Sequence, residues 1–105
     1  MSKWNNKQIL ITGAGSGIGQ ALAKLFASQG AKLILTDINE VNLNKTTNEL
    51  IHAVTLSKVS DVSLKADWQT LVNSIKDEVG YLDVLINNAG MTSIGFFEDT
   101  SEALF

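Results

Sequence analysis

The sequence predicts an α/β fold, the first half of a doubly wound parallel sheet with strand order 3-2-1-4, in one domain over residues 1–105. Three observations carry this expectation. Short apolar runs recur at Ile9-Leu10-Ile11, Leu33-Ile34-Leu35 and Val84-Leu85-Ile86, the pattern of strands covered on both faces. Stretches with helical spacing lie between them. The first run also enters a glycine-rich turn, Thr12–Gly19, that opens directly into a helical pattern. Alternation of this kind implies parallel pairing through helical crossovers.

Each element has its own signal. Met1–Lys7 is a polar lead-in with Asn5-Asn6 as a turn. The first strand is expected at Gln8–Thr12 and the first helix at Gly17–Gln29, with Ile18, Leu22, Leu25 and Phe26 on one face. Gly30 suits the left-handed position that ends a helix. Lys32–Asp37 reads as the second strand. Asn39 would cap a second helix that carries only a thin stripe of Leu43, Leu50 and Ile51. The third strand is expected at His52–Leu56, followed by a loop over Ser57–Ser63. Trp68, Leu71, Val72, Ile75 and Val79 then mark a third helix that stops at Gly80. Leu82–Asn87 reads as the fourth strand and Asn88–Asp99 as a loop. Thr100 or Ser101 would cap a fourth helix just begun at Phe105.

Composition narrows the function classes. The formal net charge is −3, and no Lys/Arg cluster offers a footprint for nucleic acid or an anionic membrane. There is no cysteine, hence no disulfide framework or thiolate metal site. MSKWNNKQ lacks the apolar core of a secretory signal, and no apolar stretch approaches the ~20 residues of a membrane span. A cytoplasmic location is the resulting expectation. His52, Trp4, Trp68, Phe96 and Phe97 read as structural or packing residues. Asp77, Glu78, Asp83, Glu98, Asp99 and Glu102 read as solvated carboxylates.

The glycine turn is where chemistry is expected. First-turn amides of a helix have no intrahelical acceptor, and the aligned peptide dipoles favour an anion there. Glycines let a diphosphate approach with no Cβ in the way. Neither strict phosphate motif is met. Ile18 and Gln20 stand where G-x-G-x-x-G needs its last glycine, and no correctly spaced Gly precedes a Lys. Thr12, Gly13, Gly17 and Gly19 do supply T-G-x-x-x-G-x-G, and Asn87-Asn88-Ala89-Gly90 follows the fourth strand. Together these resemble the short-chain dehydrogenase/reductase family, classical type, over essentially the whole chain.

That resemblance implies a Rossmann-like cofactor site. Gly13, Ser16, Gly17, Ile18 and Gly19 would meet the diphosphate. Asp37, 18 positions after Gly19, would accept from the adenosine ribose hydroxyls, with Ile38 beside it. Asp61 would bond the adenine amino group and Val62 pack on the ring; a capping role for Asp61 or Ser63 on the third helix is the competing reading. Asn87 would stabilise the sheet, while Asn88, Ala89 and Gly90 line the cofactor. NAD is expected over NADP. A 2′-phosphate beside Asp37 costs up to about 4 kcal/mol at 4 Å and an effective dielectric of 20, and neither Ser16 nor Ile38 offers a compensating cation.

The family also implies hydride transfer between nicotinamide and a small alcohol or carbonyl compound, usually in a homo-oligomer. A Tyr acts as acid/base there and a Lys four residues later lowers its pKa from about 10. Here Tyr81 is followed at that spacing by Leu85, so no Tyr-x-x-x-Lys is present. The family's catalytic Asn would fall just beyond Phe105. The 105 residues are therefore expected to hold a cofactor without catalysing, as the amino-terminal part of an NAD-dependent oxidoreductase. A free-standing dinucleotide-binding or regulatory module is the alternative, and the coding sequence after Phe105 separates the two.

Overall fold

The computed structural model describes residues 2–89. The expected loop and helix beyond Asn88 and Ala89, and the site assignment of Gly90, lie outside the described residues. Four parallel strands form one sheet in the order β3-β2-β1-β4: β1 (Gln8–Thr12), β2 (Lys32–Asp37), β3 (Val54–Val59) and β4 (Val84–Asn87). Helices α1 (Gly17–Ser28), α2 (Glu40–Glu49) and α3 (Lys65–Glu78) connect them. This is the strand order expected from the sequence.

The apolar runs are continuous because β1 and β2 are covered on both faces. Ile9, Ile11, Leu33 and Leu35 pack with Ala23 of α1 and Leu43 of α2. The alternate residues Leu10, Ile34 and Leu85 pack with Leu71, Val72 and Ile75 of α3. Odd and even positions of one strand thus serve two different cores, as the two-residue period requires. β1 is central, pairing Leu10 with Ile34 on one side and with Leu85 on the other.

The buried face of α1 differs from expectation. Ile18 and Leu25 remain 53% and 54% exposed, whereas Gly19 and Ala23 are buried, with Leu22 and Phe26 packed beside them. Small side chains face the sheet here because the turn sets the helix close to it. In α2, Ile51 falls outside the helix and is exposed. Thr46 takes the inward position instead and is fully buried, its hydroxyl donating to the Ala14 carbonyl at 3.1 Å.

β3 starts later and runs further than the apolar pattern indicates. The Ala53 and Val54 amides both donate to the Leu50 carbonyl, so residues around His52 close a turn. Pairing then continues to Asp37–Val59, taking Ser57 and Lys58 into the strand. Main-chain register against β2, not side-chain hydrophobicity, decides this strand's end. β4 is shorter than expected, beginning at Val84. Asp83 is not merely solvated, since its carboxylate accepts the Gln8 amide at 2.8 Å.

Behind the sheet, the lead-in docks on the end of α1. Trp4 meets Phe26 edge-on at 5.1 Å, and the Asn6 amide donates to the Gly30 carbonyl at 2.9 Å. Gly30 has φ +84°, and a Cβ there would meet the Asn5 side chain. Gly30→Ala is expected to destabilise the fold by about 1–2 kcal/mol from the left-handed backbone alone. A denaturant midpoint unchanged from the wild type would contradict this.

Candidate functional site: a cleft at the carboxyl edge of the sheet

The carboxyl ends of β1 and β4 are tied together by short polar side chains. Thr12 Oγ1 donates to Asn87 Oδ1 at 3.0 Å and accepts the Ala89 amide at 3.0 Å. Asn88 Nδ2 reaches over to the Gly13 carbonyl at 3.1 Å and Ser16 Oγ at 3.0 Å. Asn87 thus bonds within the sheet, while Asn88 and Ala89 fix the glycine turn.

That turn is held from several directions. Gly13 has φ +64°, which places its carbonyl under the start of α1. The same oxygen accepts the Ser16 amide at 3.1 Å and the Ser16 hydroxyl at 2.7 Å. Ser16 is the N-cap of α1, and its Oγ accepts the Gly19 amide at 3.3 Å. The Ala14 amide donates to the Thr36 carbonyl at 3.0 Å, and the Gly15 amide donates to Asp37 Oδ2 at 2.8 Å.

The glycines have separate steric reasons. A Cβ on Gly19 would lie 2.0 Å from the Gly13 oxygen, and one on Gly15 2.7 Å from Asn42 Cβ. Both residues serve close packing of the turn. A Cβ on Gly17 would meet no heavy atom within 4 Å. Nothing in the described protein explains a glycine there. Its amide and that of Ile18 open the first turn of α1, ahead of any helix carbonyl that could accept them.

Above these ends lies a cleft of two lobes, about 450 and 510 Å³, both bordered by Gly13, Asp37, Ile38 and Ala89. The first extends to Asp61 and Val62 after β3; the second follows Ser16, Gly17, Ile18 and Asn88. Of the described residues assigned to the cofactor from the sequence, only Gly19, packed behind the turn, falls outside this lining. The lining also includes Thr36 and Ser60, to which the sequence assigned no role, and Ser63, expected only as a candidate helix cap.

Two details refine the loop after β3. Ser63 does not cap α3; its amide and hydroxyl both donate to Asp61 Oδ1, at 3.1 and 2.5 Å. The N-cap is Leu64, with no side-chain bond, and Asp67 Oδ2 accepts the Asp61 amide at 2.8 Å. The capping reading of Asp61 and Ser63 is thereby replaced by a local turn that fixes the Asp61 carboxylate. Thr36 is fully buried, and its hydroxyl has no hydrogen-bond partner among the described residues.

Fold and cleft together define a doubly wound α/β protein whose glycine turn opens a helix at the sheet's carboxyl edge, where such sheets bind ligands. Residues 7–105 match the family model described as short chain dehydrogenase, and the chain belongs to that family. It is 43% identical to oxidoreductase UcpA of Salmonella typhimurium over 97% of this chain and 39% of that protein. An uncharacterized oxidoreductase of Thermotoga maritima is 41% identical over 97% of this chain and 41% of its own. The chain therefore spans about two-fifths of the length of these curated relatives. A short-chain dehydrogenase/reductase from Burkholderia phymatum, solved in complex with NAD, superposes with a TM-score of 0.73 at 38% identity, covering 81% of this chain and 31% of that one. Among the described residues no helix is long and apolar enough to cross a membrane.

The glycines give a sharp contrast. Gly19→Ala is expected to cost at least about 3 kcal/mol through overlap with the Gly13 carbonyl. Gly17→Ala should stay within about 0.5 kcal/mol of wild type, because a Cβ there meets nothing within 4 Å. Denaturation of both variants checks the pair. Thr36→Val should raise stability by about 1 kcal/mol by removing an unpaired buried hydroxyl; a lowered melting temperature would count against that account.

Proposed function

We propose that this chain is the cofactor-binding part of an NAD-dependent oxidoreductase that interconverts small alcohols and carbonyl compounds. The carrying observation is the convergence of Asp37, the Gly13–Gly19 turn, Asp61-Val62 and Asn88-Ala89 on one cleft. The open space at Gly17 supports an anion at the first turn of α1, since a side chain there would intrude on the ligand and on nothing else. The NAD complex of the Burkholderia relative supports the same cofactor.

In this reading the Gly17 and Ile18 amides hold the diphosphate. Asp37 accepts from the adenosine ribose, and Asp61, with Val62 and Ile38, frames the adenine. Asn88 and Ala89 border the cofactor on the β4 side, with Gly90 following them. When bound, nicotinamide supplies the hydride acceptor or donor. The residues of this chain bind and orient it, and the Tyr-x-x-x-Lys pair that moves the proton in the family is not among these 105 residues. The substrate is a small molecule, and the whole enzyme is a homo-oligomer.

NAD is preferred over NADP because Asp37 and a 2′-phosphate would place two negative charges together. Lining residues from Ser16 to Ile38 provide no cation to offset them. NADH is expected to bind about tenfold more tightly than NADPH, or better. Fluorescence titration of the protein with each nucleotide tests this, and equal dissociation constants would overturn the assignment.

A further inference from the structure

Asp37 makes more bonds than a ribose acceptor requires. Its Oδ1 accepts the Asn39 amide at 2.8 Å, an ordinary local turn two residues ahead. Its Oδ2 accepts the Gly15 amide at 2.8 Å, across 22 positions of sequence. Its main-chain carbonyl accepts the Ser60 amide at 3.1 Å. One residue at the end of β2 therefore fastens the glycine turn, the entry to α2 and the exit of β3. The Ala14 amide donates to the Thr36 carbonyl. The peptide that joins Ala14 to Gly15, one step before the N-cap Ser16, is planar and is held at both ends, its carbonyl by the Thr46 hydroxyl and its N–H by the Asp37 carboxylate, the one charged group on it.

We propose that Asp37 is a positioning residue for the diphosphate turn, so that a single carboxylate sets phosphate binding through Gly15 as well as the choice of ribose. The inference rests on the dinucleotide reading above and deepens it. The local turn to Asn39 would form with either oxygen alone, so it does not account for the bond to Gly15. A carboxylate placed near a diphosphate repels it, and by Coulomb's law alone removing Asp37 would tighten phosphate binding. A positioning role has the opposite sign. It also means that a substitution made to admit a 2′-phosphate loosens the grip on the diphosphate common to both cofactors.

The probe that separates the two roles is 2′,3′-dideoxy-ADP, which keeps the adenine and diphosphate but has no ribose hydroxyl for Asp37 to accept. Its affinity, and those of ADP and NADH, are measured by calorimetry on the protein expressed from its native coding sequence, as wild type, Asp37→Ala and Asp37→Asn. We expect Asp37→Ala to weaken the dideoxy nucleotide about fivefold, the worth of a typical hydrogen bond. Asp37→Asn should recover part of that loss, because an amide oxygen can still accept the Gly15 N–H. Unchanged or tighter dideoxy-ADP binding in both variants overturns the positioning role, as does an equal loss in both. A wild-type protein that binds neither ADP nor NADH overturns the cofactor reading itself.

Discussion

The Gly13 carbonyl is the point on which the carboxyl edge of the sheet is assembled. It accepts from the Ser16 amide, the Ser16 hydroxyl and Asn88, while Gly19 packs so close that no Cβ could stand between them. A carbonyl has two lone pairs, so three donors sharing it must converge in a narrow solid angle. That convergence fixes where α1 begins. It also commits β4 to lie beside β1, because Asn88 reaches Gly13 only when Asn87 pairs with Thr12. The cleft is a consequence of this packing, since its walls are the ends of strands that the turn holds in place.

Two-sided burial provides the rigid platform beneath it. Leu10 and Ile34 are anchored against α3, and Ile9 and Leu33 against α1 and α2. Sliding a strand by one residue would exchange these sets between faces and disrupt both cores at once. The strand ends are thereby held in register. The polar groups at the edge, Thr12, Asp37, Asn87 and Asn88, need only short side chains to meet. Long flexible residues would lose more conformational entropy to make the same bonds.

The edge also joins segments to which separate recognition tasks are proposed. Asp37 bonds to the turn that would carry a diphosphate and, through its backbone, to the loop that would meet an adenine. Within that loop, Ser63 and Asp67 hold Asp61 from opposite sides, Ser63 at the carboxylate and Asp67 at the amide. Asp37, Asp61 and Asp67 are thereby linked into a connected brace. Ile38 and Ile18 stay exposed beside it, on the border of the cleft and outside both cores.

The sequence by itself determined the sheet, its strand order, the glycine turn and the family, because two-sided burial and close backbone approach leave marks in local residue pattern. Continuous apolar runs can only be covered strands here, and Gly13 and Gly19 register contacts that no side chain tolerates. Tertiary structure alone decided which face α1 buries, where β3 starts and ends, and what Thr36, Thr46 and Asp83 do. Ile18 and Leu25 satisfy the helical period as well as Ala23 does, and only the nearness of the sheet selects the small side chain. β3 extends through Ser57 and Lys58 because its partner β2 continues to Asp37. Thr46 and Asp83 find their partners 32 and 75 positions away. Hydrogen bonds between distant segments depend on the assembled sheet, and no local pattern encodes them.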